Sequence, residues 1–317
     1  MALRDLETTF CEYLLTIKNY QRTTVQNYKE TFRSFHSAHP AIERAEHVTP
    51  IHAQQFFFWG RSERKWKPST FVSHHKHMNV FYGWAVKSGV VTTNPFTGIE
   101  KPRSEKKLPT RLTRQQAMEV IETAANLKYD YKFLRFRNHA IFATFLYCGL
   151  RKHELLKLTC ADVDLENLII GIRQGKGNKD RMVPIPYPLK AILQRYLIER
   201  ERLEKTCATF FVSLNRDCGF TDAGLKRLVE KIIAVSGHYF YPHMLRHTFA
   251  TLMIEGGCDI YSLSKILGHN DIKTTTIYLS ASVEHLRAEM TKHPLNFLGL
   301  TNSEVGGLGF AILCEKR

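Results

Sequence analysis

Apolar side chains recur at helical spacing through the first hundred residues. Leu6, Phe10, Tyr13, Leu14 and Ile17 mark an amphipathic helix over Leu3–Asn19, and Val25, Tyr28, Phe32 and Phe35 mark a second over Thr23–Ser37. A third is expected from Pro50 through Trp59. A fourth runs from Ser69 to Lys87 with Phe71, His75, Met78, Tyr82 and Ala85 facing inward, and Asn94-Pro95 stops the pattern. Lys101 to Arg111 has two prolines and no hydrophobic period, so it is expected to be a linker. Beyond it Thr113 caps a new helix, and Phe133 to Cys148 is apolar enough to be a central core helix. Leu168–Ile172 and Arg181–Ile185 are short β-branched runs on either side of Arg173–Asp180, the pattern of a β-hairpin with a glycine-rich tip. Helical spacing then returns in Leu189–Leu203, Asp222–Val235, Met244–Glu255, Ile260–Leu267, Ile272–Tyr278 and Val283–Met290, with Gly256-Gly257 and Gly268 as stops. The expected fold is mainly α with a small β-sheet. At 317 residues the chain is long for one compact core, so two domains are expected.

Charge narrows the class of partner. The formal charge is +15, which points to a polyanion. Nucleic acid is favoured over an anionic membrane surface, because no apolar run approaches the roughly 20 residues that span a bilayer and Met1 to Phe10 lacks a basic then apolar leader. A cytosolic or nucleoid location is expected. The seven cysteines are scattered with no Cys-x-x-Cys pair, as free thiols are in a reducing compartment. His74, His75 and His77 are expected to form a partly buried helix turn rather than a metal site. His243 and His247 are spaced like a zinc pair, but no Glu follows the first and Arg246 lies between them. Residues 61 to 111 hold 11 Lys or Arg against 3 Glu, close to a polar helix start at Ser69 and Thr70. Lys67, Ser69, Thr70, Ser73, Lys76, Lys101, Arg103, Lys106, Lys107 and Arg111 are therefore candidates for phosphate contact. Phe56, Phe57, Phe58 and Trp59 are expected in the core of the small domain rather than as a stacking platform.

Four segments place a cation or a proton carrier beside a glycine or a helix start: Cys148–Leu155, Gln174–Asp180, Pro242–Thr251 and Leu267–Tyr278. Together they supply what transesterification at a phosphodiester requires. The phosphorane-like transition state carries extra negative charge on its non-bridging oxygens. Arginine suits it through a planar, permanently charged guanidinium that donates two hydrogen bonds at once. Arg151 and Arg246 are the candidates. Tyr278 can be the nucleophile, Lys176 the acid for the leaving oxygen, and His243 or His269 a proton handler or further oxygen ligand.

These motifs resemble the tyrosine recombinase, or phage-type integrase, family. The match is Gly-Leu-Arg-x-x-Glu-Leu at Gly149–Leu155, the hairpin lysine, His-x-Leu-Arg-His-Thr-Phe-Ala-Thr at His243–Thr251, and Leu-Gly-His followed nine residues after the His by Tyr278. The order and spacings fit from residue 3 to 293. The resemblance implies that Arg151 and Arg246 clamp the scissile phosphate and that His269 is its third ligand. It implies that His243 accepts the tyrosine proton, Lys176 protonates the 5′ hydroxyl, Glu154 supports the arginine geometry, and Tyr278 forms a 3′-phosphotyrosyl link. Cys148 departs from the pattern, standing where a small hydroxyl residue is common. His247, on the same helix as Arg246, is expected to be a packing group or a support behind the site residues rather than a catalyst, and Tyr147 and Tyr261 to be core tyrosines. The implied architecture is a C-shaped clamp on duplex DNA: a helical core-binding domain over 1–100, a basic linker over 101–111, a catalytic domain over 112–293, and a tail over 294–317 docking on a neighbouring subunit. The implied activity is site-specific recombination by a tetramer on two synapsed sites, with no metal and no cofactor, and an accessory or partner recombinase as a further possible partner. Two rivals stay open: a topoisomerase that nicks and swivels DNA by the same chemistry, and a DNA-binding regulator with a silent site.

Overall fold

The computed structural model describes residues 1–103, 109–173, 180–269, 271 and 273–278. Lys106, Lys107 and Lys176, the expected helix over 283–290 and the tail over 294–317 lie outside the described residues. The chain divides into two compact units, 1–106 and 107–317.

The first unit is helical: α1 (Leu3–Thr16), α2 (Arg22–Ala38), α3 (Pro50–Ser62) and α4 (Pro68–Lys87). Its core is largely aromatic. Phe10, Phe35, Phe56, Phe81 and Phe96 are wholly buried, with edge contacts such as Phe10 on Phe81 at 5.3 Å. Phe71, His75, Met78, Tyr82 and Ala85 all turn inward, as the spacing of α4 predicts. His74 and His77 share the Thr31 hydroxyl at 2.9 and 2.8 Å, and His75 bonds to the carbonyl of Phe96 at 3.1 Å. The histidine cluster is thus a packed helix turn. The four-aromatic run needs one correction. Phe56 and Phe57 are buried, but Phe58 is 76% exposed, because four consecutive helical residues cannot all face one core.

The second unit contains α5 (Arg114–Asn126), α6 (Lys132–Cys148), α7 (Lys152–Lys157), a three-stranded sheet, α8 (Tyr187–Arg202), α9 (Asp222–Ser236), α10 (Pro242–Glu255), α11 (Ile260–Leu267) and α12 (Lys273–Thr276). Thr113 caps α5, accepting from the Gln116 amide while the Gln116 side chain accepts from the Thr113 amide. The apolar α6 is the hub, packing against α5, α8 and α10. The hairpin is β2 (Ile169–Ile172) against β3 (Arg181–Pro184), antiparallel with Ile170 opposite Val183. A third strand, β1 (Val163–Asp164), pairs with the outer edge of β2. With two residues it is too short to leave a periodic signal. A smaller core of Phe249, Ala250, Ile254, Leu263 and Leu267 joins α10 to α11 and encloses Tyr278. Tyr261 and Tyr147, expected in the core, are 61% and 37% exposed; Lys265 stands over the Tyr261 ring at 5.0 Å.

Candidate active site

Two chain reversals set the site. Gly149 ends α6 with φ at 61°, and a Cβ there would fall 2.2 Å from the Phe249 ring. Gly268 ends α11 with φ at 63°, and its Cβ would meet the Arg181 side chain at 2.7 Å. Both positions therefore require glycine, for backbone conformation and for space. Each reversal also turns a carbonyl toward a guanidinium. Arg246 donates to the Gly149 carbonyl at 2.7 Å, and Arg151 to the Gly268 carbonyl at 3.2 Å.

Glu154 organises the arginines from beneath. Standing in the first turn of α7, it accepts from the Arg151 amide and from Arg151 Nη1, both at 2.8 Å. Arg181, the first residue of β3, grips the same carboxylate with both terminal nitrogens at 2.9 and 2.7 Å and donates through Nε to the Ile266 carbonyl at 2.8 Å. Burial pushes the Glu154 carboxyl up, but its bonds to Arg181 and Arg151 outweigh this and hold it at about 2. Arg246 is 1% exposed. Besides Gly149 it donates to the Leu267 carbonyl at 2.5 Å and meets His269 Nε2 at 3.2 Å. Desolvation and the neighbouring Arg151 charge push it down to about 9, which leaves it cationic at neutral pH. Arg151 and Arg181 thus share one carboxylate, which Arg246 feels only through its charge, and the three guanidinium groups with Glu154 leave two positive charges in excess.

The imidazoles here are neutral near pH 7. His269 bonds through Nδ1 to the Thr275 hydroxyl at 2.8 Å, and desolvation with the charges of Arg246, Arg151 and Arg181 pushes it down to about 4. His243 reaches the surface at the start of α10; desolvation, Arg246 and Arg151 hold it below its ordinary value. Tyr278 is 2% exposed, and its hydroxyl lies 2.8 Å from His247 Nδ1. Burial raises that hydroxyl above its ordinary value against the pull of Arg246 and Arg151, so it is protonated at rest.

Arg151, Glu154, His243, Arg246, His269 and Tyr278 thus come together around the start of α7, the start of α10 and the turn after α11. Lys176 lies outside the described residues. One residue of the cluster escaped the sequence reading and the contact of another was not foreseen. His247, expected as a packing or supporting group, lies against the Tyr278 hydroxyl. Arg181 was read only as the edge of a strand; it shares the inward face of β3 with Val183 while Met182 points out, and that alternation was the available signal. Among the candidate phosphate contacts, Lys67, Ser69, Ser73 and Lys76 are exposed at or on α4, with Ser69, Ser73 and Lys76 one above another along one face. Thr70 is half-buried, Lys101 and Arg103 are exposed, and Arg111 is tied to Glu255 at 2.9 Å.

The geometry brings buried guanidinium groups, neutral imidazoles and one buried tyrosine hydroxyl together. The model of the phage integrase family matches residues 110–285, and the chain belongs to that family, the tyrosine recombinases, which makes it an enzyme of DNA cleavage and strand exchange. It is 32% identical over 298 residues to a tyrosine recombinase XerC of Lactobacillus leichmannii, covering 91% of this chain and 98% of the relative. A XerC of Corynebacterium efficiens is 31% identical, with 90% of each chain covered. Among solved structures, a XerH site-specific recombinase bound to its difH substrate in a post-cleavage complex matches with a TM-score of 0.71 at 22% identity, covering 90% of this chain and 83% of that one. Among the described residues, no helix is long and apolar enough to cross a membrane.

Proposed function

We propose that Arg151 and Arg246 clamp the scissile phosphate of a duplex DNA site, with His269 as its third ligand, and that Tyr278 attacks to leave a 3′-phosphotyrosyl link. Glu154 fixes the direction of Arg151. His243, at the rim, is a further oxygen ligand, and Lys176, in the sequence between β2 and β3, protonates the departing 5′ oxygen. The observation that carries this reading is the two excess positive charges of the arginine network, which match the two negative charges that a phosphodiester carries once attack has taken it to a pentacoordinate transition state. Each guanidinium has five N–H donors. Arg151 gives two side-chain bonds to the protein and Arg246 three, which leaves both with donors for phosphate oxygens.

The exposed cations of Lys67, Lys76, Lys101 and Arg103 hold the DNA backbone. Recombination between two sites requires several copies of the chain, and a tetramer on two synapsed sites, with residues 294–317 of each copy docking on the next, is the assembly in line with a heterologous ring. Strand exchange serves integration, excision or resolution. The test is covalent capture. A target site is first selected from random-sequence duplexes by binding to Tyr278→Phe. On a nicked version of that site the wild type should form an adduct that survives a denaturing gel, and Tyr278→Phe should bind equally and form none. Adduct formation by Tyr278→Phe would overturn the assignment.

A further inference from the structure

We propose that His247, in place of the His243 that the resemblance implies, takes the proton of the Tyr278 hydroxyl as that oxygen attacks phosphorus, an inference that rests on the reading of Tyr278 as nucleophile. The hydroxyl is 2.8 Å from His247 Nδ1, within the reach required of a general base. His247 is also the residue directly after Arg246, whose guanidinium is locked to two backbone carbonyls. The backbone that aims the phosphate clamp therefore aims the base. On its other side His243 packs edge-on to the His247 ring, with centroids 4.5 Å apart at 74°, which holds the ring in place.

The charge state suits the role. Desolvation, with His243 and Arg246 adding to it, pushes His247 down to about 4, so at neutral pH the ring is unprotonated and Nδ1 can accept when the ring proton is on Nε2. Tyr278, enclosed by Phe249, Ala250, Ile254, Leu263 and Leu267, has no bulk water to take its proton at rest. In the step, the Oη–H bond of Tyr278 breaks and an Nδ1–H bond forms on His247. Oη bonds to phosphorus, the bond from phosphorus to the 5′ oxygen breaks, and that oxygen receives a proton from Lys176. Rejoining runs the same transfers in reverse, with His247 returning the proton to the tyrosine.

Full-length His247→Ala and His247→Asn are compared with the wild type on the nicked site, with DNA binding measured in parallel as the check on folding. Loss of a general base should slow adduct formation by about 10²-fold or more in both variants while binding is unchanged. Asn can still hydrogen bond to the hydroxyl but cannot take its proton, so the two variants should be equally slow. Added imidazole should speed His247→Ala and leave Tyr278→Phe inert. Wild-type rates in His247→Asn would overturn the proton-transfer role, as would a slow His247→Ala that imidazole does not accelerate. These failures are distinct from failure of the nucleophile reading, which shows only as an adduct in Tyr278→Phe.

Discussion

The face of α4 in the first unit and the arginine network of the second both hold cations, but in opposite physical states. Lys67 and Lys76 are exposed. Arg151, Arg181 and Arg246 have side chains that are largely or wholly buried, and each is bonded to a carboxylate or a backbone carbonyl before any ligand arrives. The difference separates two tasks. A solvated lysine contributes affinity that salt screens, whereas a desolvated, fixed guanidinium stabilises a charge that exists only in the transition state and needs no reorganisation to do so. The second arrangement also has a structural consequence, since it depends on one buried carboxylate.

Removing that carboxylate should have the largest effect. Glu154→Ala leaves Arg151 and Arg181 facing each other without a counterion, and loss of one partner of a buried ion pair costs about 3–5 kcal/mol. Urea unfolding should show this drop, together with loss of cleavage. A variant as stable as the wild type would mean that the network does not organise the fold.

The pH dependence sharpens the same point. The Glu154 carboxyl is held at about 2 in the folded protein against an ordinary 4.5, so its stabilisation is complete above 4.5 and is lost as pH falls toward 2. The stability gap between wild type and Glu154→Gln should therefore be widest near neutrality and close on acidification. A gap constant from pH 7 to 3 would contradict the assignment.

The smallest effect on stability belongs to α4. Lys67→Ala and Lys76→Ala should each change unfolding free energy by less than about 0.5 kcal/mol. Each should nevertheless weaken binding to all DNA sequences alike and reduce the salt slope by about one unit. A loss of site preference with an unchanged slope would place base readout on this face instead.

Much of this was legible in the sequence because its signals are local. The spacing of α4 gave its inward residues, glycines marked the ends of α6 and α11, and Thr113 marked the start of α5. The residues that meet around the start of α7, the start of α10 and the turn after α11 stood in three of the motifs in order. What escaped depends on contacts between residues distant in the chain. Arg181 finds Glu154 across 27 positions, and its role appears only when β3 is folded back beside α7. His247 meets Tyr278 across 31 positions, through the core that joins α10 to α11. Phe58 and Tyr261 show the converse: an aromatic residue in a helical run tells little about burial until the inward face is known.

The central claim is that the excess positive charge of the arginine network serves a phosphodiester attacked by Tyr278. Its most direct test is to trap wild-type protein on the nicked, binding-selected site, digest the adduct with protease and nuclease, and locate the added mass by tandem mass spectrometry. A nucleotide joined through its 3′ phosphate to the peptide containing Tyr278 is the predicted result, and a stable adduct on any other residue would contradict it.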